Sequence, residues 1–190
     1  MRMEVIFKKI TRIPKTGFLC FLFSISIIQH SYAADLGSGE WFVRLIAEVP
    51  SQQLKDQGNV LGMLKSSIDG YDTHDLKELP PFGSFYLTIV FPHTDWGDNG
   101  GDYASDFHKR KHWRTGDEWM FEVKSNVPRN VTLSWQGYDG LKRLYRMRLM
   151  DMETGKIVRA VKRKKLQTYT FSMVGTSHRF KWIYLARPES

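Results

Sequence analysis

Beyond residue 33 this chain has no cysteine, and its one cysteine, Cys20, lies in an N-terminal apolar run. The remainder therefore has no disulfide framework, no thiolate zinc site and no haem-attachment motif. There is no G-x-S-x-G, no H-E-x-x-H and no phosphate-binding glycine loop, so the usual signatures of hydrolases, zinc proteases and nucleotide enzymes are missing. No apolar run reaches the roughly 20 residues that a membrane-crossing helix needs. Helical periodicity never lasts beyond about two turns, and no internal repeat or low-complexity tail is present.

The first thirty-three residues have the pattern of a targeting segment. Arg2, Lys8, Lys9, Arg12 and Lys15 stand against Glu4, and the apolar run Phe18–Ile28 follows, then Gln29 and His30. Ser31 and Ala33 are small enough for the −3 and −1 pockets of signal peptidase, which predicts a signal peptide over 1–33 and cleavage before Ala34. An uncleaved signal anchor is the alternative. Either route places the rest outside the cytoplasm, in a secreted, periplasmic or cell-surface location, with no transmembrane segment in residues 34–190. The leader holds five of the 28 basic residues and one of the 20 acidic ones. That leaves 23 against 19, a net charge of +4 instead of +8, and the smaller excess argues against a nucleic-acid partner.

Residues 34–190 are long enough for one domain held by its core, and their pattern has period two. Trp41–Glu48, Phe85–Phe91, Trp119–Lys124, Val131–Trp135, Leu144–Met150, Lys156–Val161, Gln167–Met173 and Arg179–Leu185 alternate aromatic or β-branched residues with polar ones. Turn residues separate them, which predicts a single antiparallel all-β sandwich. Residues 51–83, with a short strand near Val60–Leu64, and residues 92–116 are expected as long loops. Trp119, Trp135 and Trp182 are expected in the core.

A series of residues also carries a family likeness. Asp69-Gly70-Tyr71-Asp72, Asp75-Leu76 and Glu78-Leu79-Pro80-Pro81 precede a strand; Asp102-Tyr103 and Asp106-Phe107 precede the Trp119 strand. Val131–Trp135, Leu149-Met150-Asp151 with Thr154-Gly155, and Arg179-Phe180 follow. The series resembles the fibronectin-III-like or immunoglobulin-like C-terminal β-sandwich of secreted bacterial surface proteins, including the Ig-like domain of flagellar-hook-capping and type IX sorting proteins. The resemblance implies a non-enzymatic attachment or packing module, whose partner is a protein or filament of the envelope or extracellular matrix. It also implies that the acidic run from Asp69 to Glu78 is structural.

Two groups are candidates for binding. Asp95, Asp98, Asn99 and Asp102, spaced by glycines, offer oxygen ligands for calcium but lack the full EF-hand pattern; a solvated turn is the alternative. Lys109, Arg110, Lys111 and Arg114 surround Trp113, with Trp96 in the same segment. An acidic polysaccharide could meet charge and a flat ring there, as in a lectin. Pairing with Asp102, Asp106, Asp117 and Glu118 is the competing arrangement. His108 and His112 on one strand would stand about 13 Å apart and share no metal. A carboxylate pair among Asp95, Asp98, Asp102 and Asp106 is the remaining catalytic option, and its geometry would decide.

N-terminal sequencing of the protein isolated from outside the cytoplasm should read from Ala34. An intact Met1 in the membrane fraction would make the leader an anchor.

Overall fold

A computed structural model describes residues 40–81, 83–111, 115–127, 129–137, 146–159 and 166–185. The expected leader, its cleavage site, His112, Trp113 and Arg114 lie outside the described residues. Eleven strands form two sheets among them: β1 (Trp41–Val49), β2 (Leu54–Leu64), β3 (Leu87–His93), β4 (Gly101–Tyr103), β5 (Ser105–Lys109), β6 (Asp117–Ser125), β7 (Asn130–Gly137), β8 (Arg146–Asp151), β9 (Ile157–Arg159), β10 (Gln167–Ser172) and β11 (Ser177–Leu185). One sheet runs β10-β7-β1-β2-β5, the other β4-β3-β6-β11-β8-β9. The pairings are antiparallel except for β2 with β5, which run parallel.

Period-two alternation sets which side chains enter the space between the sheets. Trp41, Val43, Leu45, Ala47 and Val49 of β1 meet Leu133 and Trp135 of β7 on one side of the core. Trp119 and Phe121 of β6, with Phe180, Trp182 and Tyr184 of β11, fill the other. Trp41 meets Trp119 edge-on at 5.4 Å, and Trp135 meets Trp182 at 6.0 Å. The three tryptophans expected in the core are there, and Trp41 joins them.

Two stretches expected as loops contain strands. The first half of β2 is partly exposed and polar, so it shows no apolar alternation; pairing with β1 holds it extended. β4 and β5 are short and carry Gly101, Asp102 and Asp106, residues that seldom signal a strand. β5 forms because β2 offers it a parallel edge, from Val60↔Ser105 to Leu64↔Lys109.

Buried carboxylates tie the sheets together. Asp151, at the end of β8, accepts bonds from His178 Nε2 of β11 at 2.9 Å and Tyr169 of β10 at 2.8 Å. It also accepts from the amides of Glu153 and Thr154, closing the turn into β9. β10 and β8 belong to different sheets, so this one side chain joins them. Asp56 of β2 does the same at another edge, accepting the Ile89 amide of β3 at 2.6 Å.

The β1–β2 pair has one position where a side chain has no room. A Cβ on Gly62 would press into the Trp41 carbonyl and sit 2.8 Å from Phe42 Cα, whereas one on Gly58 would meet nothing within 4 Å. Gly62→Ala should therefore lower the melting temperature sharply, and Gly58→Ala, in the same strand, should leave it nearly unchanged. Equal effects from the two would mean that the β1–β2 packing is wrong.

Candidate functional site

The chemistry-bearing side chains gather where β3 and β5 end and β6 begins. In β5, Asp106 and His108 stand two residues apart and so share one side of the strand. β3 contributes His93 and β6 contributes Asp117. His93 Nε2 lies 3.2 Å from Asp106 Oδ2, and His108 Nε2 lies 3.4 Å from Asp106 Oδ1. His108 Nδ1 is 2.9 Å from Asp117 Oδ2, which also meets Lys111 Nζ at 2.9 Å. The result is a row in which basic and acidic side chains alternate: His93, Asp106, His108, Asp117, Lys111. The two contacts with Asp106 are ion-pair contacts without hydrogen-bond angles, so the buried His93 Nε2 and Asp106 Oδ1 have no hydrogen-bond partner.

Burial works against charge on His108, but the carboxylates of Asp106 and Asp117 outweigh it and push its pKa up to about 9. Burial likewise opposes ionisation of Asp106 and Asp117, and here the imidazoles of His108 and His93, or His108 and Lys111, win and hold both below the usual range. His108 thus stays an imidazolium at neutral pH. Its ring stacks on Trp119 at 4.6 Å, and that indole carries the row on the aromatic core.

A strap, residues 65–81, packs along β4 and β5. Three of its acids accept hydrogen bonds from backbone amides. Asp75 accepts the Phe107 amide at 3.0 Å and the Asp72 amide at 2.9 Å. Asp69 accepts the Lys109 amide, and Asp72 closes its own turn through the Ile68 and His74 amides. Backbone contacts continue the seal, from Ala104 to the Leu76 carbonyl and from Glu78 to the Asp102 carbonyl. Burial raises Asp75 to about 6, and burial with the nearby charge of Asp56 raises Glu78 to about 7.

The candidates from sequence are distributed around this end. Trp96 is half-buried, stacked flat on His93 at 3.6 Å and edge-on to Tyr103 at 4.9 Å. Lys109 and Arg110 are exposed at the end of β5, while Lys111 is paired with Asp117 and lies 3.7 Å from Asp69. The acidic loop is a 3-10 turn at Gly97–Asn99, entered through Gly97 at a φ of 55°. Asp95 points to His93 at 3.7 Å, the Asn99 carbonyl accepts the Tyr103 hydroxyl, and Asp102 meets Lys124 Nζ at 2.6 Å. Among the described residues no three His, Cys, Asp or Glu side chains are placed to hold a metal ion. Asp106, one of the carboxylates considered for glycoside chemistry, is buried between two histidines.

Sequence reasoning did not find the His93–Asp106–His108–Asp117 row. The i, i+2 spacing of Asp106 and His108 was its one local sign; the partners come from other strands. No family model matches this chain, and no curated protein or solved structure matches it.

Stability should fall as pH rises from about 5 to 9. His108 is raised in the fold, so its contribution is full below its unfolded value of ~6.5 and is lost as pH passes about 9. Asp75 and Glu78 are also raised: they favour the fold while protonated and lose this as pH climbs through about 6 and about 7. Asp106 and Asp117, being lowered, lose their contribution only as pH falls below the ordinary carboxylate range. Melting temperatures across this range should decline, and His108→Gln should flatten the part above about pH 7. A melting temperature that climbs with pH would contradict the charge assignment.

Proposed function

We propose that this protein is an exported, non-catalytic binding module that engages a protein of the cell envelope or extracellular space through its strap. The observation that carries this reading is the exposed apolar face of the strap. Asp69, Asp72 and Asp75 are engaged with backbone amides, with Asp75 buried, while Ile68, Tyr71, Leu76 and Leu79 are exposed, Leu79 by 68%. Four large apolar side chains within twelve residues of a well-bonded segment form a surface suited to protein contact. Asp75, whose pKa is raised, already holds the strap to β5, and this supports a structural role for it over a catalytic one. The same arrangement agrees with the attachment role implied by the fibronectin-III-like or immunoglobulin-like resemblance, whose finer topology belongs to this proposal.

A second reading, an acidic polysaccharide at the end of β5, rests on exposed Lys109 and Arg110. A photo-crosslinking residue placed at Leu79 in the native host should label one protein in a fixed ratio. The same residue at Met120, exposed in β6, should not label it, and Ile68→Asp with Leu76→Asp should abolish the labelling. Equal labelling from both positions would overturn the strap reading. Salt-sensitive binding to alginate or heparin that persists in the strap variants would replace it with the second.

A further inference from the structure

The strand edges of this sandwich are treated unequally. β5 and β4 are covered by the strap, through the Phe107, Lys109 and Ala104 amides and the Lys77↔Tyr103 bridge. The stretch of β3 beyond β4 is closed by Asp56. β9, at the far edge of its sheet, is three residues long. β10 is different: it has six residues, Gln167–Ser172, none charged and none proline, with β7 as its single neighbour among the described residues. Proteins usually protect such an edge with charge, proline or a covering segment, because its backbone groups are a template for another strand.

The register shows which groups are offered. Met173 N donates to the Arg129 carbonyl, and Ser172 stands opposite Asn130. In an antiparallel ladder the hydrogen-bonded positions alternate, so Phe171 and Tyr169 bond to β7. Thr168, Thr170 and Ser172 direct their N–H and C=O groups to the open side. These three side chains are exposed on the outer face. Leu166 and Val174 flank the strand on the same parity, and both are exposed, by 51% and 84%.

We propose that β10 pairs antiparallel with β10 of a second copy, centred on Thr170, to join two five-stranded sheets across a two-fold axis. The pattern is self-complementary. Thr170 lies opposite Thr170 of the other copy and Thr168 opposite its Ser172, so all three open positions of each copy form hydrogen-bonded pairs. Moving the centre by one residue in either direction leaves one of the three without such a partner. Small hydroxyl side chains meet on the outer face, a favourable cross-strand combination. Tyr169 meets Phe171 on the inner face, and Val174 of each copy falls opposite Leu166 of the other, covering both exposed apolar residues. A heterologous peptide would need no such symmetry about Thr170.

Sedimentation velocity of the purified protein over a concentration series should show a monomer–dimer equilibrium. Thr170→Pro removes an amide that β7 does not use, and Thr170→Lys places two like charges on the axis. Each should give a monomer throughout, with a melting temperature measured on the monomer equal to that of the dilute parent protein. Thr170→Cys should oxidise to a disulfide-linked dimer above the background set by the parent chain, because paired strands place the two Cα atoms about 5.5 Å apart. Thr168→Cys should cross-link only when mixed with Ser172→Cys. A parent protein that is monomeric at every concentration, a dimer indifferent to both Thr170 variants, or equal cross-linking from Thr168→Cys alone overturns the proposal.

Discussion

A carboxylate accepting hydrogen bonds from the backbone amides of an open strand or turn is the interaction on which the rest of this structure depends. A buried amide without a partner costs about 1–3 kcal/mol, and a two-sheet fold with short strands exposes many of them. Asp56 closes β3, Asp75 and Asp69 close β5, and Asp151 closes the turn between β8 and β9. Each also links segments distant in sequence. Asp151 reaches a tyrosine in the opposite sheet, and Asp75 holds the strap that shields β5.

Without disulfides, this network works together with an aromatic core. Four tryptophans are almost completely buried, and edge-on contacts pair them across the sheets. Rings of that size bury 150–250 Å² each, so they supply much of the apolar burial that a domain of this length requires. The His–Asp row rests on the same core through Trp119, and its alternating basic and acidic side chains let ionised groups remain at a partly buried position. Charge arranged in this way disfavours loss of either partner, because breaking a pair leaves an uncompensated ion.

The strap and β10 are opposite solutions to the same edge problem. At β5 Asp69 and Asp75 of the strap bond to the strand's amides, and the strap's Ile68, Tyr71, Leu76 and Leu79 are exposed. At β10 no segment among the described residues covers the edge, and the exposed side chains are hydroxyls between two apolar ends. One edge presents side chains and the other presents backbone, so the two surfaces suit different partners.

Much of the all-β character was legible in the sequence, because alternation between apolar and polar residues is a local property. Trp119, Val131 to Trp135 and Phe180 to Tyr184 could be placed in strands and in the core from their spacing. β5 and the first half of β2 could not, since polar residues such as Lys55, Gln57 and Asp106 extend there only because a neighbouring strand bonds to them. The acids were visible as a run without showing their direction. That Asp75 faces an amide, that Asp106 lies between two histidines, and that Lys111 is neutralised by Asp117 all depend on residues brought together from separate strands. Trp96 illustrates the same limit: its position in a loop left open whether the ring stood free or packed, and His93 from β3 and Tyr103 from β4 are its packing partners. By itself the sequence determined the period of the strands and the absence of disulfides beyond residue 33. Which edges are closed, and which charges face one another, was decided only when tertiary contacts placed distant residues within hydrogen-bonding range.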